Sequence, residues 1–214
     1  MSPKLSQSEK EKRRKHIIDS AIEVFKLKGF EAATMKDIVD QTGNSRGWVY
    51  LYFSSVEEIF EAMINDIDNE TIDELGHFIT LDIPVWESIG TLFEMLEKQL
   101  YEEENTLYVA IYEYFIGGYR EPKRRDFLKA RYNRQNRILM KLLEKGVNNG
   151  EFRSDTPILV LEKLLMSFWE GLILHSTGVG VENLYVKEQF ALMKKMLASV
   201  VFEEVRGGND NGDF

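Results

Sequence analysis

Residues 34–53, Thr-Met-Lys-Asp-Ile-Val-Asp-Gln-Thr-Gly-Asn-Ser-Arg-Gly-Trp-Val-Tyr-Leu-Tyr-Phe, decide the fold. Thr34 with Asp37 three residues on forms a capping box, in which the two side chains satisfy amide donors at a helix start. Ile38 and Val39 give that short helix a small apolar face, and Gly43 supplies the permissive backbone that ends it in a turn. Ser45 then caps a second helix running to about Tyr52. The pair reads as a helix-turn-helix.

The second helix carries an unusual surface for so short an element. Val49 and Phe53, four apart, face a core, which leaves Arg46, Gly47, Trp48, Tyr50 and Tyr52 on the rest of the cylinder. Arg46 sits in the first turn, where the helix dipole disfavours a cation. Arginine at the leading end of a recognition helix reaches guanine O6 and N7, and a glycine beside it admits close approach of a phosphate or base edge. The hydroxyls of Tyr50 and Tyr52 suit phosphate oxygens, which set register without reading sequence. Taken alone, two short helices around a glycine turn also read as an ordinary helical hairpin inside a core.

The flanking residues separate these readings. Gly29-Phe30 ends a preceding helix, and Thr34 to Ile38, Gly43, and Ser45 to Phe53 follow in order. Together they resemble the TetR family of transcriptional regulators. The resemblance implies an all-α protein: an N-terminal three-helix head with a helix-turn-helix over residues 1–53, a larger helical effector-binding and dimerisation domain over 54–205, and a polar tail over 206–214. It further implies a repressor that binds a palindromic double-stranded DNA operator as a homodimer and leaves it on binding a small-molecule effector. The positions it marks for DNA contact are Thr34, Lys36, Ser45, Arg46, Gly47, Trp48, Tyr50 and Tyr52. Two departures stand out. Trp48 occupies a place that relatives tend to give a small residue, so the indole faces either DNA or the first helix. Ser54 and Val56 stand where relatives often carry lysine, which removes phosphate contacts and predicts a weaker salt dependence.

The net charge of −9 opposes nucleic-acid binding by the chain as a whole, but it is unevenly placed. Residues 1–53 hold 10 Lys and Arg against 7 Asp and Glu, a balance of +3, while the remainder holds 17 against 29, or −12. A basic head on an acidic body favours one orientation of approach to phosphate. Within the head, Lys10 and Lys12 to Lys15 form a basic run, either solvated surface or a strip along a phosphate strand. The absence of cysteine excludes disulfides and thiolate metal sites. No apolar run follows the basic N-terminus and no segment is long enough to span a bilayer, so no signal peptide or membrane association is expected, and a cytoplasmic location is.

Beyond Phe53 the periodicity is helical throughout. Ser54 or Ser55 caps a long helix with an apolar stripe from Ile59 to Ile67, and Pro84, Pro122 and Pro157 mark later helix starts. The basic run Lys123, Arg124, Arg125, Lys129 and Arg131 reads as a solvated helix face. Two terminal helices have wide apolar faces, Leu161, Leu164, Leu165, Phe168 and Leu172 on one, Phe190, Met193, Leu197 and Val200 on the other. These residues complete a monomer core or, as the resemblance implies, a four-helix dimer interface. Aromatic residues crowd the body. Trp86, Phe93, Tyr108, Tyr112, Phe115, Phe168 and Trp169 are either core or the lining of an effector pocket.

A catalytic reading finds little support. Three scattered histidines are too few for a histidine-rich metal site, and Glu74 with His77 matches one half of a di-metal helical-bundle motif whose second copy is missing. There is no phosphate loop and no serine elbow. No catalytic residue, metal or cofactor is expected; the alternative is a helical small-molecule-binding or di-metal enzyme whose hairpin does not read DNA.

Overall fold

Helix starts follow the caps. The computed structural model describes residues 6–102 and 106–202, and is helical with no strand among them. Helix α1 spans Gln7–Ala32, α2 Met35–Thr42, α3 Arg46–Tyr50 and α4 Val56–Thr80. The body continues with α5 Val85–Glu102, α6 Thr106–Gly117, α7 Pro122–Asn148, α8 Ile158–Val179 and, after a short 3-10 turn, α9 Val186–Val201. Ser55 caps α4 by accepting from the Glu58 amide, and Ser54 meets the Glu58 carboxylate at 2.7 Å. The amides of Val85 and Trp86, at the start of α5, are capped from a distance by the Glu151 carboxylate at 2.6 and 2.7 Å. The polar tail over 206–214 and the expected last turn to Val205 lie outside the described residues.

Helix α1 begins at Gln7, ten residues before its first buried apolar residue, Ile17. Ser6 and Glu9 form a capping box, and Gln7–Glu11 and Lys15–Asp19 are bonded one turn apart. Such pairs stabilise a polar helical segment by about 0.2–0.5 kcal/mol each without any core contact. At its other end the helix breaks at Gly29 (φ 76°), a conformation that favours glycine, and this turns Phe30 into the core.

Two apolar cores form. The first joins Ile17, Ala21 and Phe25 of α1 with Ile38, Val49 and Phe53 of the hairpin, and it extends into α4 (Ile59, Phe60, Met63) and α6 (Ala110, Ile111, Tyr114, Phe115). Phe25 and Phe60 meet edge to face at 4.7 Å, and Phe30 meets Tyr114 at 4.8 Å. Each such pair adds about 0.5–1.5 kcal/mol beyond the area it buries. The second core is built from α5, α7, α8 and α9, around Phe93, Leu143, Leu165, Leu172, Phe190 and Leu197.

The basic stretch of α7 is not uniformly solvated, which corrects the sequence reading. Arg131 lies 14% exposed, and its Nε is shared between the two carboxylate oxygens of Asp68 of α4 at 3.0 and 3.1 Å, with Gln135 donating to the same carboxylate at 2.9 Å. Arg124, 13% exposed, bonds Glu57 of α4 at 3.0 Å and lies over the rings of Phe30 and Tyr114. Helical periodicity registers apolar residues only, so inward-facing arginines that meet carboxylates on a neighbouring helix escape it. Burial pushes the Asp68 carboxyl up, and the adjacent Arg131 opposes the rise.

Candidate nucleic-acid interface and its link to the body

The hairpin is built by short-range bonds and backed by α1. The Thr34 amide donates to Asp37 at 3.1 Å, and the Asp37 amide donates back to Thr34 Oγ1 at 3.2 Å. Lys28 reaches the same carboxylate at 2.7 Å; with Thr34 it holds the Asp37 carboxyl down to about 2. Gly43 ends α2 in the left-handed conformation (φ 65°). Ser45 Oγ accepts from the Trp48 amide at 3.3 Å and starts α3. His16 of α1 donates from Nε2 to the Thr42 carbonyl at 3.0 Å and so fixes the end of α2.

On this frame the candidate contact residues divide into two groups. Thr34, Lys36, Ser45, Arg46, Gly47 and Tyr50 are exposed. Arg46 lies over the Tyr50 ring at 5.0 Å, and Lys36 pairs with Asp40 one turn on. Trp48 and Tyr52 are half-buried against the first core, their rings 5.8 Å apart. Trp48 meets His16 edge to face at 6.0 Å, so the indole packs toward α1 rather than standing out from α3. At Gly47 an added Cβ would find nothing within 4 Å. Nothing inside the chain requires glycine there.

The head is tied to α6. Glu113 accepts the Phe30 amide at 2.8 Å, the donor that the break at Gly29 leaves outside the helical ladder. Tyr114, wholly buried, donates to Glu61 of α4 at 2.8 Å; burial and those carboxylates push its hydroxyl well above the ordinary range. One helix of the body thus grips both α1 and α4.

The candidate pocket residues are divided among several contacts of the body. Phe93 and Phe168 flank the Phe190 ring at 5.2 and 5.3 Å, and Trp169 is half-buried beside the same core. Tyr112 donates to the Glu170 carbonyl of α8 at 3.2 Å, and burial followed by the Glu170 charge pushes its hydroxyl up to about 12. Tyr108 accepts from Gln99 at 3.2 Å. Trp86 packs against Phe202 and borders an open depression of about 540 Å³ that also touches Gly90, Glu94 and Lys194. Phe115 belongs to the first core, stacked on Phe127 at 6.1 Å.

The expected interface residues lie mostly inside the chain. Leu161, Leu165, Leu172, Phe190, Met193 and Leu197 are all buried in the chain's own core, and Phe168 and Val200 are half-buried against it. Of the nine, Leu164 alone is exposed; the large apolar residues that α8 and α9 turn outward are Leu159, Val160, Leu164, Leu174, Val179, Leu192 and Met196. Helix α8 is apolar on both sides, and periodicity alone chose the inner one. Glu74 and His77 are exposed on α4. Among the described residues no three His, Cys, Asp or Glu side chains gather as a metal site, and no helix is long and apolar enough to cross a membrane.

Residues 17–63 match the bacterial regulatory proteins of the tetR family, and residues 88–203 match the tetracyclin repressor-like C-terminal domain. The chain belongs to the TetR family. It is similar to the HTH-type transcriptional regulator YfiR of Bacillus subtilis, with 38% identity over 81% of this chain and 84% of that one. It is also similar to the HTH-type transcriptional repressor KstR2 of Rhodococcus jostii, at 29% identity over 86% and 89% of the two chains. The fold matches that of the transcriptional regulator FadR of Bacillus subtilis, solved in complex with stearoyl-CoA, with a TM-score of 0.70 at 17% identity over 88% of this chain and 99% of that one. This TetR-family chain is a transcriptional regulator whose DNA-binding head is the α1 to α3 unit.

Proposed function

We propose that this regulator is a repressor rather than an enzyme, that it binds a palindromic operator as a homodimer, and that a small molecule held in the body releases it. The observation that carries the reading is the exposed face of α3, where Arg46, Gly47 and Tyr50 stand on a hairpin whose other side is fully packed. Arg46 reads a guanine edge, Tyr50 and Ser45 position phosphates, and Gly47 admits the backbone to the groove. Lys36 and Thr34 contribute phosphate contacts from α2.

The dimer in this reading uses the outward stripe of α8 and α9. Gly171 and Gly178 share the α8 face with Val160, Leu164 and Leu174, and an added Cβ at either glycine meets open space, which suits close approach of a second helix. A twofold reader needs two heads at a spacing set by this interface. Effector release is supported by the path from the body through Glu113 and Tyr114 of α6 to α1 and α4. The repressor KstR2 and the stearoyl-CoA complex of FadR are in line with it.

Selection of duplex DNA from a random pool tests the reading. The wild type is expected to enrich a palindrome, Arg46→Ala to lose preference at one base pair per half-site, and Tyr50→Ala to weaken binding without changing the sequence. If no sequence is enriched by ligand-free protein, the reading fails.

A further inference from the structure

The second core holds polar atoms that the chain itself does not satisfy. Among the described residues, Asn136 Oδ1, Asn136 Nδ2 and Glu162 Oε1 are buried without a hydrogen-bond partner. Asn136 is 6% exposed and Glu162 1%. Asn136 lies on α7 and Glu162 on α8, two helices that pack together. Lys163, beside Glu162, lies over the Tyr132 ring at 4.4 Å, and Asn136 is one turn along α7 from Tyr132. Lys163 also donates to Glu162 Oε2 at 3.0 Å from the half-exposed side, so one oxygen of the carboxylate is hydrogen-bonded and the other is not. At about 100° per residue, Glu162 stands on the α8 face of Trp169, away from the outward stripe of Val160, Leu164 and Leu174.

Native interiors rarely leave three such atoms unpaired. A glutamine or methionine at 162 would serve the fold better. The group therefore has the character of a binding site held at some expense of stability.

We propose that Glu162 and Asn136 form the polar end of the effector site and that the effector is an organic cation: an apolar body carrying a protonated amine. The ammonium donates to Glu162 Oε1, a second polar group exchanges hydrogen bonds with the Asn136 amide, and Trp169, on the same face of α8, offers its ring to the charge. This rests on the effector reading above. An anionic amphiphile would place like charge beside Glu162 and is disfavoured at the same site.

The test uses the full chain with a matched pair of probes, dodecylamine and dodecanoic acid, each below its micelle-forming concentration. Tryptophan fluorescence gives affinity, operator retention gives function, and thermal melting checks each variant. The wild type is expected to bind the amine more tightly than the acid by about ten-fold or more. Glu162→Gln removes that preference, and Asn136→Leu weakens the amine while leaving a residual charge preference. Without ligand, Glu162→Met raises Tm by about 2–4 °C, since the unpaired oxygen is gone. Equal affinity for the two probes, binding of neither, or an unchanged ratio in Glu162→Gln overturns the proposal. So does a fall in Tm for Glu162→Met, which would make the Lys163 pair structural. The effector reading stands or falls separately, on whether any compound in a broad panel, cationic or not, shifts operator affinity.

Discussion

At Gly47 the chain gives up helix propensity and receives no internal contact in return, because an added Cβ would meet open space. Replacing it with alanine is expected to stabilise the protein by up to about 1 kcal/mol, the propensity difference in a helix interior. In the proposed complex the same methyl group stands on the side that DNA approaches, so operator affinity is expected to fall as Tm rises. An unchanged Kd would show that the backbone here is not approached by DNA. Trp48 presents the reverse case. Its ring is spent on His16 and Tyr52, so Trp48→Ala is expected to cost about 2 kcal/mol, less than the 3–5 of a fully buried aromatic. Half-site preference in a selection experiment should be unchanged, and a shifted consensus would place the indole on a base. Sequence identified Trp48 as the odd residue of the head but not its direction. A half-buried indole satisfies both environments, and only the position of His16 on the neighbouring helix decides.

At the scale of elements, α6 is the piece through which body and head meet, and its carboxylate at Glu113 does what a helix ladder would otherwise do for Phe30. Glu113→Ala leaves that amide buried without an acceptor, at a cost of about 1–3 kcal/mol. If α6 carries the effector signal, the variant should also show a smaller ratio of operator affinities with and without effector. Titrations of operator at zero and saturating effector measure that ratio, and a variant that melts earlier with the ratio intact would confine Glu113 to a structural role. Helix α2 offers a pH test. The Asp37 carboxyl is held at about 2 against an ordinary 3.8, so its contribution is fully present above the ordinary value and is lost as pH falls from about 4 to 2. Asp37→Asn should lower stability at neutral pH and flatten the acid limb of a Tm-against-pH curve. These helix starts were legible because Thr34, Ser45, Ser55 and Pro122 carry local signals. The start of α1 at Gln7 was not, because its first turns are held by polar pairs along the helix and bury nothing before Ile17.

For the whole molecule, in the proposed dimer, the deciding question is which side of α8 and α9 belongs to the chain and which to a second copy. Both sides are apolar, so the sequence supports either assignment; the other helices choose by covering Leu161, Leu165, Phe190 and Leu197 and leaving Leu164, Leu174, Leu192 and Met196 open. That division makes opposite predictions for similar substitutions. Leu164→Glu combined with Leu192→Glu places charge on the open side, where a lone chain can solvate it, and should yield a folded monomer by sedimentation with near-wild-type helicity. Operator affinity should drop by more than about ten-fold, because the second head is no longer held beside the first. Leu161→Glu and Leu197→Glu bury their charges in the second core and should abolish cooperative melting instead. A double outer variant that still sediments as a dimer would move the interface elsewhere. Charge adds a constraint of the same scale. Residues 54–214 carry −12 and the first 53 residues +3, so any arrangement of two copies must turn both heads the same way toward DNA and keep the acidic bodies behind them. An interface on α8 and α9, the last helices of the body, leaves both heads free to meet that condition.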